Sequence, residues 1–443
     1  MKKKQFHKLV LKNVDKYFLY LNLFLIYFLV RKYSNYLEPF EDEITSLLSG
    51  VSFLQNLDFD GTPLINGNYS PYLTSGPIAS IGSGAGWLLT NNFVIARVIN
   101  FYFLISLVYV LINFTNFFKT QSRLFVFNIV LLITTLLPWW YGSLYSLGEM
   151  FSSALFALSI LLVKTNRNLA FFIMGFSIIF GKLIQILLVG PFIFIYILTV
   201  KKINFYNILN FVFPFLIFFT LVAIKNTNFN LFDYLTSYFE IIYNHQSSGL
   251  QVNDFFSLEN FLQQLNSSEF SQWTLITKIR VLISPIIFSF ILLKESKNLK
   301  TIFDSSYAVI FSILLPYAWF VFLSQTKWIR YSQHYLYLIL FFSIIILFTE
   351  TELSPISHNL LIFNISLFLS SEILLILFLG TLFIKKNILL FKKLTLIFLI
   401  LNSLNQVIES QNLPNYNLNF ENCKESLSSI KCVEDYLPYK FVK

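Results

Sequence analysis

Long apolar runs separated by short polar links set the layout of this chain. No charged residue lies between Arg97 and Lys119, Arg123 and Glu149, Lys202 and Lys225, or Asp304 and Lys327. At about 1.5 Å of rise per residue, each gap is long enough for a helix that crosses a bilayer. The runs predict helices near 14–31, 93–113, 124–141, 148–163, 168–181, 183–200, 204–224, 279–293, 305–324 and 331–349. Gly181-Lys182 interrupts the run from 168 to 200, leaving each half short for a full span. That pattern predicts a hairpin of short helices with its tip near the outer interface. Beyond residue 350, a turn near Ser370-Ser371-Glu372 and a last helix near 394–408 keep Lys385, Lys386, Lys392 and Lys393 on the N-terminal side. A single span over 360–384 would put them on the other.

Charge sharpens this layout. Six lysines between Lys2 and Lys16 precede the first apolar run and favour a cytoplasmic N-terminus. Arg31-Lys32 stands where a cleavage site would need small residues, so the first helix is expected to be retained. Lys119 and Arg123, Lys164 and Arg167, Lys201 and Lys202, and Lys294, Lys297 and Lys300 share that side. The two long polar stretches, 31–92 and 225–278, then face outward as extracytoplasmic loops, with the short links at 139–149 and 327–334.

Composition excludes a soluble domain, since 56% of residues are hydrophobic, 12% are charged and mean hydropathy is +0.66. The fold class expected is all-α: a polytopic transmembrane helical bundle of about 11–13 helices. The net charge of +9 sits in clusters at the ends of apolar runs, which is topological punctuation and predicts no nucleic-acid partner. Cys423 and Cys432 both fall in the polar tail. Outside the cell they would close a disulfide, and inside they would be free thiols. No thiolate or metal-ligand spacing occurs, so no cofactor is predicted and a divalent metal is left open.

Candidate chemistry gathers on the outward side. Glu41-Asp42-Glu43 follows the first helix, and carboxylates this close can hold a proton unusually tightly, as a general base requires. The same residues would also serve as a solvated cap for a helix that starts at Ile44. Small residues and aromatics follow in Gly67-Asn68-Tyr69, Thr74-Ser75-Gly76-Pro77 and Gly82-Ser83-Gly84-Ala85-Gly86-Trp87. They suit tight turns or a packed interfacial loop, and they are not a dinucleotide fingerprint. Arg97 either binds an anion or snorkels to headgroups. Glu149 is a second acid or a helix N-terminal charge, and Lys182 neutralises a phosphate or marks the hairpin tip. In Lys327-Trp328-Ile329-Arg330-Tyr331 and His334, the basic groups suit a lipid phosphate or anchor the interface. His245, Asp254 and Glu259 read as solvated loop surface.

The order Asp42-Glu43, Gly67-Asn68-Tyr69, Thr74-Ser75-Gly76-Pro77 and then Asn91 to Arg97 resembles the GT-C superfamily of membrane glycosyltransferases. Its protein-mannosyltransferase and aminoarabinose-transferase-like branch is the most similar. Gly175 to Pro191 resembles the hairpin of those proteins, and Lys327 to Tyr331 resembles their basic, aromatic approach to a lipid phosphate. The resemblance covers the layout of about 14–349, and it implies a GT-C-like catalytic region over 1–349, further helices over 350–408 and a polar tail over 409–443. It implies transfer of a sugar, with inversion, from a polyprenyl-phosphate donor to a hydroxyl of a lipid, polysaccharide or protein acceptor at the outer face of a bacterial plasma membrane. Asp42, with Glu43 beside it, takes the place of the base. Arg330, Lys327, His334, Lys182 and Arg97 are the expected contacts of the donor phosphate, and Glu149 the acceptor-side acid. A polytopic transporter, flippase or polymerase of lipid-linked saccharides is the alternative, and it would place titratable groups near the bilayer midplane.

Overall fold

A computed structural model describes residues 2–36, 41–57, 62–63, 69–70, 76–114, 123–134, 144, 148–200, 203–225, 230–233, 235–236, 274–323, 329–349, 353–368 and 388–411. The chain begins with α1 (Lys2–Tyr36), followed by α2 (Glu41–Asn56), α3 (Pro77–Thr90), α4 (Phe93–Phe114) and α5 (Arg123–Thr134). Next come α6 (Glu149–Leu162), α7 (Arg167–Phe176), α8 (Ile186–Thr199), α9 (Phe205–Lys225) and α10 (Leu275–Lys294). The last helices are α11 (Ser306–Ala318), α12 (Ile329–Phe348), α13 (Pro355–Ser366) and α14 (Ile388–Gln411). Each of the ten expected runs carries a helix, with α1 starting well before the expected bound at 14, and the part of the run 124–141 after Thr134 lying outside the described residues. Among the described residues, four helices, covering Phe93–Asn113, Phe205–Ile224, Leu275–Lys294 and Tyr331–Phe348, are long and apolar enough to cross a membrane.

The bundle is organised around α12. Every residue from Ser332 to Leu347 is buried, and α5, α6, α10, α11 and α13 pack around it. A helix that is apolar on all sides is stable only when surrounded in this way or by lipid. By contrast α9 lies at the periphery and exposes Phe205, Tyr206, Phe213, Leu216 and Ile224, as a lipid-facing helix does.

The stretch 31–92, expected as a loop, carries two helices. Between them Thr62–Pro63 (β1) pairs antiparallel with Tyr69–Ser70 (β2). Glycine at every second position from 82 to 86 lowers helix propensity, which is why the segment reads as a loop. The same glycines let three helices stack. A Cβ at Gly82 would lie 2.7 Å from Asn100 Cα, and one at Gly86 would lie 2.7 Å from Ala96 Cα, both on α4. On the other face of α3, a Cβ at Gly84 would overlap the carbonyl of Gly50 on α2 and approach Val51 N to 2.6 Å. The α3–α4 turn is equally local in origin. Asn91 takes the left-handed conformation (φ 49°), its N–H donating to Trp87 O, and Asn92 Oδ1 accepts the N–H of Ile95 at 3.0 Å to cap α4.

The halves of 167–199 form the expected hairpin. α7 continues as a π-helical turn over Ser177–Gly181, the backbone is extended at Lys182 (φ −143°, ψ 125°), and a 3₁₀ turn over Leu183–Gln185 leads into α8. The open ends meet at Asp304, whose Oδ2 is 3.2 Å from Arg167 Nη2 and accepts from the Tyr196 hydroxyl at 2.5 Å. Lys164 Nζ donates to the carbonyls of Lys300 and Thr301 at 2.6 and 3.0 Å nearby.

At the C-terminus of α10, Glu295 Oε1 accepts from the Ser354 N–H and from the hydroxyls of Ser354 and Ser357 at the start of α13, while Oε2 accepts from Asn298 Nδ2. Burial alone would raise this carboxyl, but these hydrogen bonds outweigh it and hold it down at about 2, against an ordinary 4.5. A depressed carboxyl contributes its stability above about 4.5 and loses it as pH falls towards about 2. Glu295→Gln is therefore expected to lower the thermal midpoint of the purified protein at neutral pH and to flatten its decline across that acid window. Parallel scans of both proteins from pH 7 to pH 3 check this. The helix stack gives a second expectation. Gly84→Ala should lower the midpoint sharply, because a methyl must displace backbone, whereas Gly190→Ala on α8 meets nothing within 4 Å and should be neutral or slightly stabilising. Equal midpoints for the two variants would contradict the close packing.

Candidate functional site

One guanidinium ties three helix ends together. Arg97, one turn into α4, donates from Nε to Glu43 Oε1 at 2.7 Å and from Nη2 to Glu43 Oε2 at 2.6 Å, a bidentate fork. Its Nη1 donates to the carbonyl of Ser34, near the C-terminus of α1, at 2.9 Å. The Phe93 ring covers the cation, with its centroid 4.7 Å from Cζ. Both side chains are shut away from solvent, Arg97 at 1% exposure and Glu43 at 0%. Each charge also suits its helix end, the carboxylate in the first turn of α2 and the cation at the carbonyls that end α1.

This geometry revises two expectations. Arg97, expected at the donor phosphate, has its fork filled by Glu43 and is enclosed within the protein. Glu43, expected beside the base, is spent on Arg97. The physical reason is burial: an ion in this position is stable only when matched at close range, and each is the other's match. Asp42 is the residue before Glu43 in the first turn of α2, so the brace fixes its backbone. The side chains of Glu41 and Asp42 lie outside the described residues.

A second polar cluster forms at the hairpin tip, built on close backbone contacts. Gly76 N–H donates to Gly181 O at 2.8 Å, joining the start of α3 to the tip. Gly148, in the left-handed region at φ 72°, caps α6 where a Cβ would strike Ala79 Cβ at 2.5 Å and Gly181 O at 2.9 Å. A side chain at Gly148 would meet both strain and overlap. Immediately after these glycines stand Glu149 and Lys182, with Oε1 and Nζ 3.8 Å apart and both side chains buried. One turn along α6, Ser153 Oγ lies 3.1 Å from His334 Nδ1 on α12, and the same nitrogen lies 3.1 Å from Gln185 Oε1. Three of the expected site residues, Glu149, Lys182 and His334, are thus brought together.

The two clusters lie along α3. Gly86 packs against Ala96, the neighbour of Arg97, and Ala79 against Gly148, the neighbour of Glu149, so about seven residues of α3, roughly 10 Å of rise, separate them. Arg330 is the second residue of α12, four before His334, and its side chain lies outside the described residues. Lys327, His245, Asp254, Glu259, Cys423 and Cys432 also lie outside them.

Sequence reasoning missed Ser34, Ser153, Gln185 and Arg280. Gln185 is a lone amide in an apolar run, which is the signal that could have marked it. Arg280, buried in α10, donates from Nε to Leu367 O at 2.6 Å and faces the Phe368 ring at 5.6 Å. Among the described residues, the buried charges Glu43, Arg97, Glu149, Lys182, Arg280 and Glu295 all fall within about two turns of a helix end or break.

No protein-family model matches the chain, and no curated protein matches it. Two solved structures are similar in outline. ArnT from Cupriavidus metallidurans bound to undecaprenyl phosphate superposes with a TM-score of 0.49 at 12% identity, over 89% of this chain and 76% of that one. The same protein in the apo state gives a TM-score of 0.47 at 12% identity, over 90% and 76%. At this distance the residue roles in the present chain are read from its own side chains.

Proposed function

We propose that this integral membrane protein transfers a sugar from a polyprenyl-phosphate donor to an acceptor hydroxyl at the outer face of the membrane. The observation that carries this reading is the buried Glu43–Arg97 fork, which pins the first turn of α2 and with it Asp42. The order of motifs from Asp42 to Arg97 supports it independently. A carboxylate fixed in this way can take the proton of an acceptor hydroxyl as its oxygen attacks the anomeric carbon. The anomeric carbon–phosphate bond breaks, the configuration inverts, and the lipid phosphate leaves with the electron pair. The departing phosphate needs positive charge, and Lys182 at the hairpin tip, together with Arg330 and Lys327, is proposed to supply it. Glu149 holds Lys182 in place until donor binds, and it flanks the acceptor side.

The placement of the described buried charges near helix ends and breaks argues against a conduction path of titratable groups through the bundle. The direct test is sugar release from a radiolabelled polyprenyl-phosphate sugar by the purified protein in detergent, where no gradient exists. Acceptor-dependent release is expected, and a protein that only moves its substrate across a bilayer releases none. Asp42→Asn should lower turnover by about 100-fold or more while donor binding persists. Lys182→Ala should mainly weaken donor binding. Turnover retained by Asp42→Asn would remove the assignment of the base.

A further inference from the structure

Gln185 has no role in the proposed reaction, yet it is fully buried at the tip of the hairpin, and its amide oxygen lies 3.1 Å from His334 Nδ1. An amide oxygen can only accept, so the proton in this contact belongs to His334 Nδ1. Ser153 Oγ, 3.1 Å from the same nitrogen, shares that N–H as a second acceptor. A neutral imidazole carries one N–H, so one bonded at Nδ1 presents a lone pair at Nε2. The other half of the Gln185 amide, Nε2, is buried with no acceptor among the described residues. The side chains of Gln185 and His334 therefore offer one donor and one acceptor a short distance from Lys182. That pair suits a hydroxyl group, which both gives and takes a hydrogen bond. It does not suit a phosphate oxygen, which would face the imidazole lone pair.

We propose that Gln185 is a positioning residue that holds neutral His334 in its Nδ1–H form, so that His334 Nε2 accepts a hydrogen bond from a hydroxyl of the substrate sugar. This rests on the transferase reading above and changes one part of it, since His334 then reads the sugar and not the donor phosphate. The titratable groups on the elements packed around α12 at this end are Glu149 on α6, Lys182 at the tip, Lys278 and Arg280 on α10 and Tyr317 on α11. Those of α5 and α13, Arg123 and His358, stand near the opposite ends of their helices. On α12 itself, Arg330 and Tyr331 precede His334, and Tyr335 and Tyr337 follow it.

The test uses the full chain in detergent with its four histidines labelled with nitrogen-15. His334 is identified by the signal lost in His334→Ala. At pH 8 the wild-type ring is expected in the Nδ1–H form, the less common tautomer of a free imidazole. Gln185→Leu should return it to the Nε2–H form and reduce sugar transfer by tenfold or more. Gln185→Glu places a carboxylate on Nδ1–H and should keep the ring doubly protonated to a higher pH, moving the His334 titration and the matching limb of the pH–rate profile up by at least about one unit. A wild-type ring in the Nε2–H form, or a tautomer unchanged in Gln185→Leu, overturns the proposal. The tautomer is read without turnover. Failure of sugar transfer with the expected tautomer would sink the transferase reading, and normal transfer with the wrong tautomer would sink only this one.

Discussion

The Glu43–Arg97 pair is the contact on which the arrangement of α1, α2, α3 and α4 depends. Burying two opposite charges costs several kcal/mol of lost hydration for each, and the cost is recovered only with close, well-directed partners. Arg97 meets that condition with two bonds to one carboxylate and one to the Ser34 carbonyl. α1 ends, α2 begins and α4 begins at this one point. α3 is then clasped between α2 and α4 through Gly50, Gly82, Gly84 and Gly86, where bulkier residues would force the backbones apart. A segment of low intrinsic helix propensity is helical because the stack rewards small residues.

The same logic of close approach shapes the far end of α3. Gly76, Gly148 and Gly181 bring three backbones into contact, and the residues that follow two of them, Glu149 and Lys182, are left facing one another in a buried space. The π-helical turn before Gly181 and the extended residue after it break the hairpin at that spot. Breaks of this kind are common at functional sites because they free backbone and side chains from the regular helical ladder. The hairpin limbs are held at the opposite end by Asp304, so the tip is positioned by a fastening one helix length away.

Much of the fold was legible in the sequence because a membrane helix announces itself by the absence of charge. The bounds of α4, α9, α10 and α12 were readable for that reason, and so was the break at Gly181-Lys182. Inside 31–92, α2 was legible only as the helix that Glu41-Asp42-Glu43 would cap, and α3 was not, since glycine at alternate positions suggests a turn unless its neighbours on both faces are known. At the site, Asp42, Glu43, Arg97, Glu149, Lys182 and His334 were all singled out as chemically interesting. Their pairings were not, because Glu43 and Arg97 are 54 positions apart and Gln185 and His334 are 149 apart. Arg97 looked like an anion-binding or snorkelling residue because nothing local offers it a carboxylate. Gln185 could have been marked only as a lone amide in an apolar run, and that signal does not name His334 as its partner.

The central claim is that a buried ion pair positions Asp42 for chemistry, and a double-mutant cycle on that pair tests it most directly. Glu43→Gln, Arg97→Gln and the double variant would each be measured for stability and for sugar transfer in detergent. Either single change should cost about 3 kcal/mol or more by leaving a buried charge unmatched, and the double should cost little more than one of them. All three should lose turnover to a similar extent, because each removes the same brace. Additive losses of stability, or full turnover in the double variant, would contradict the account.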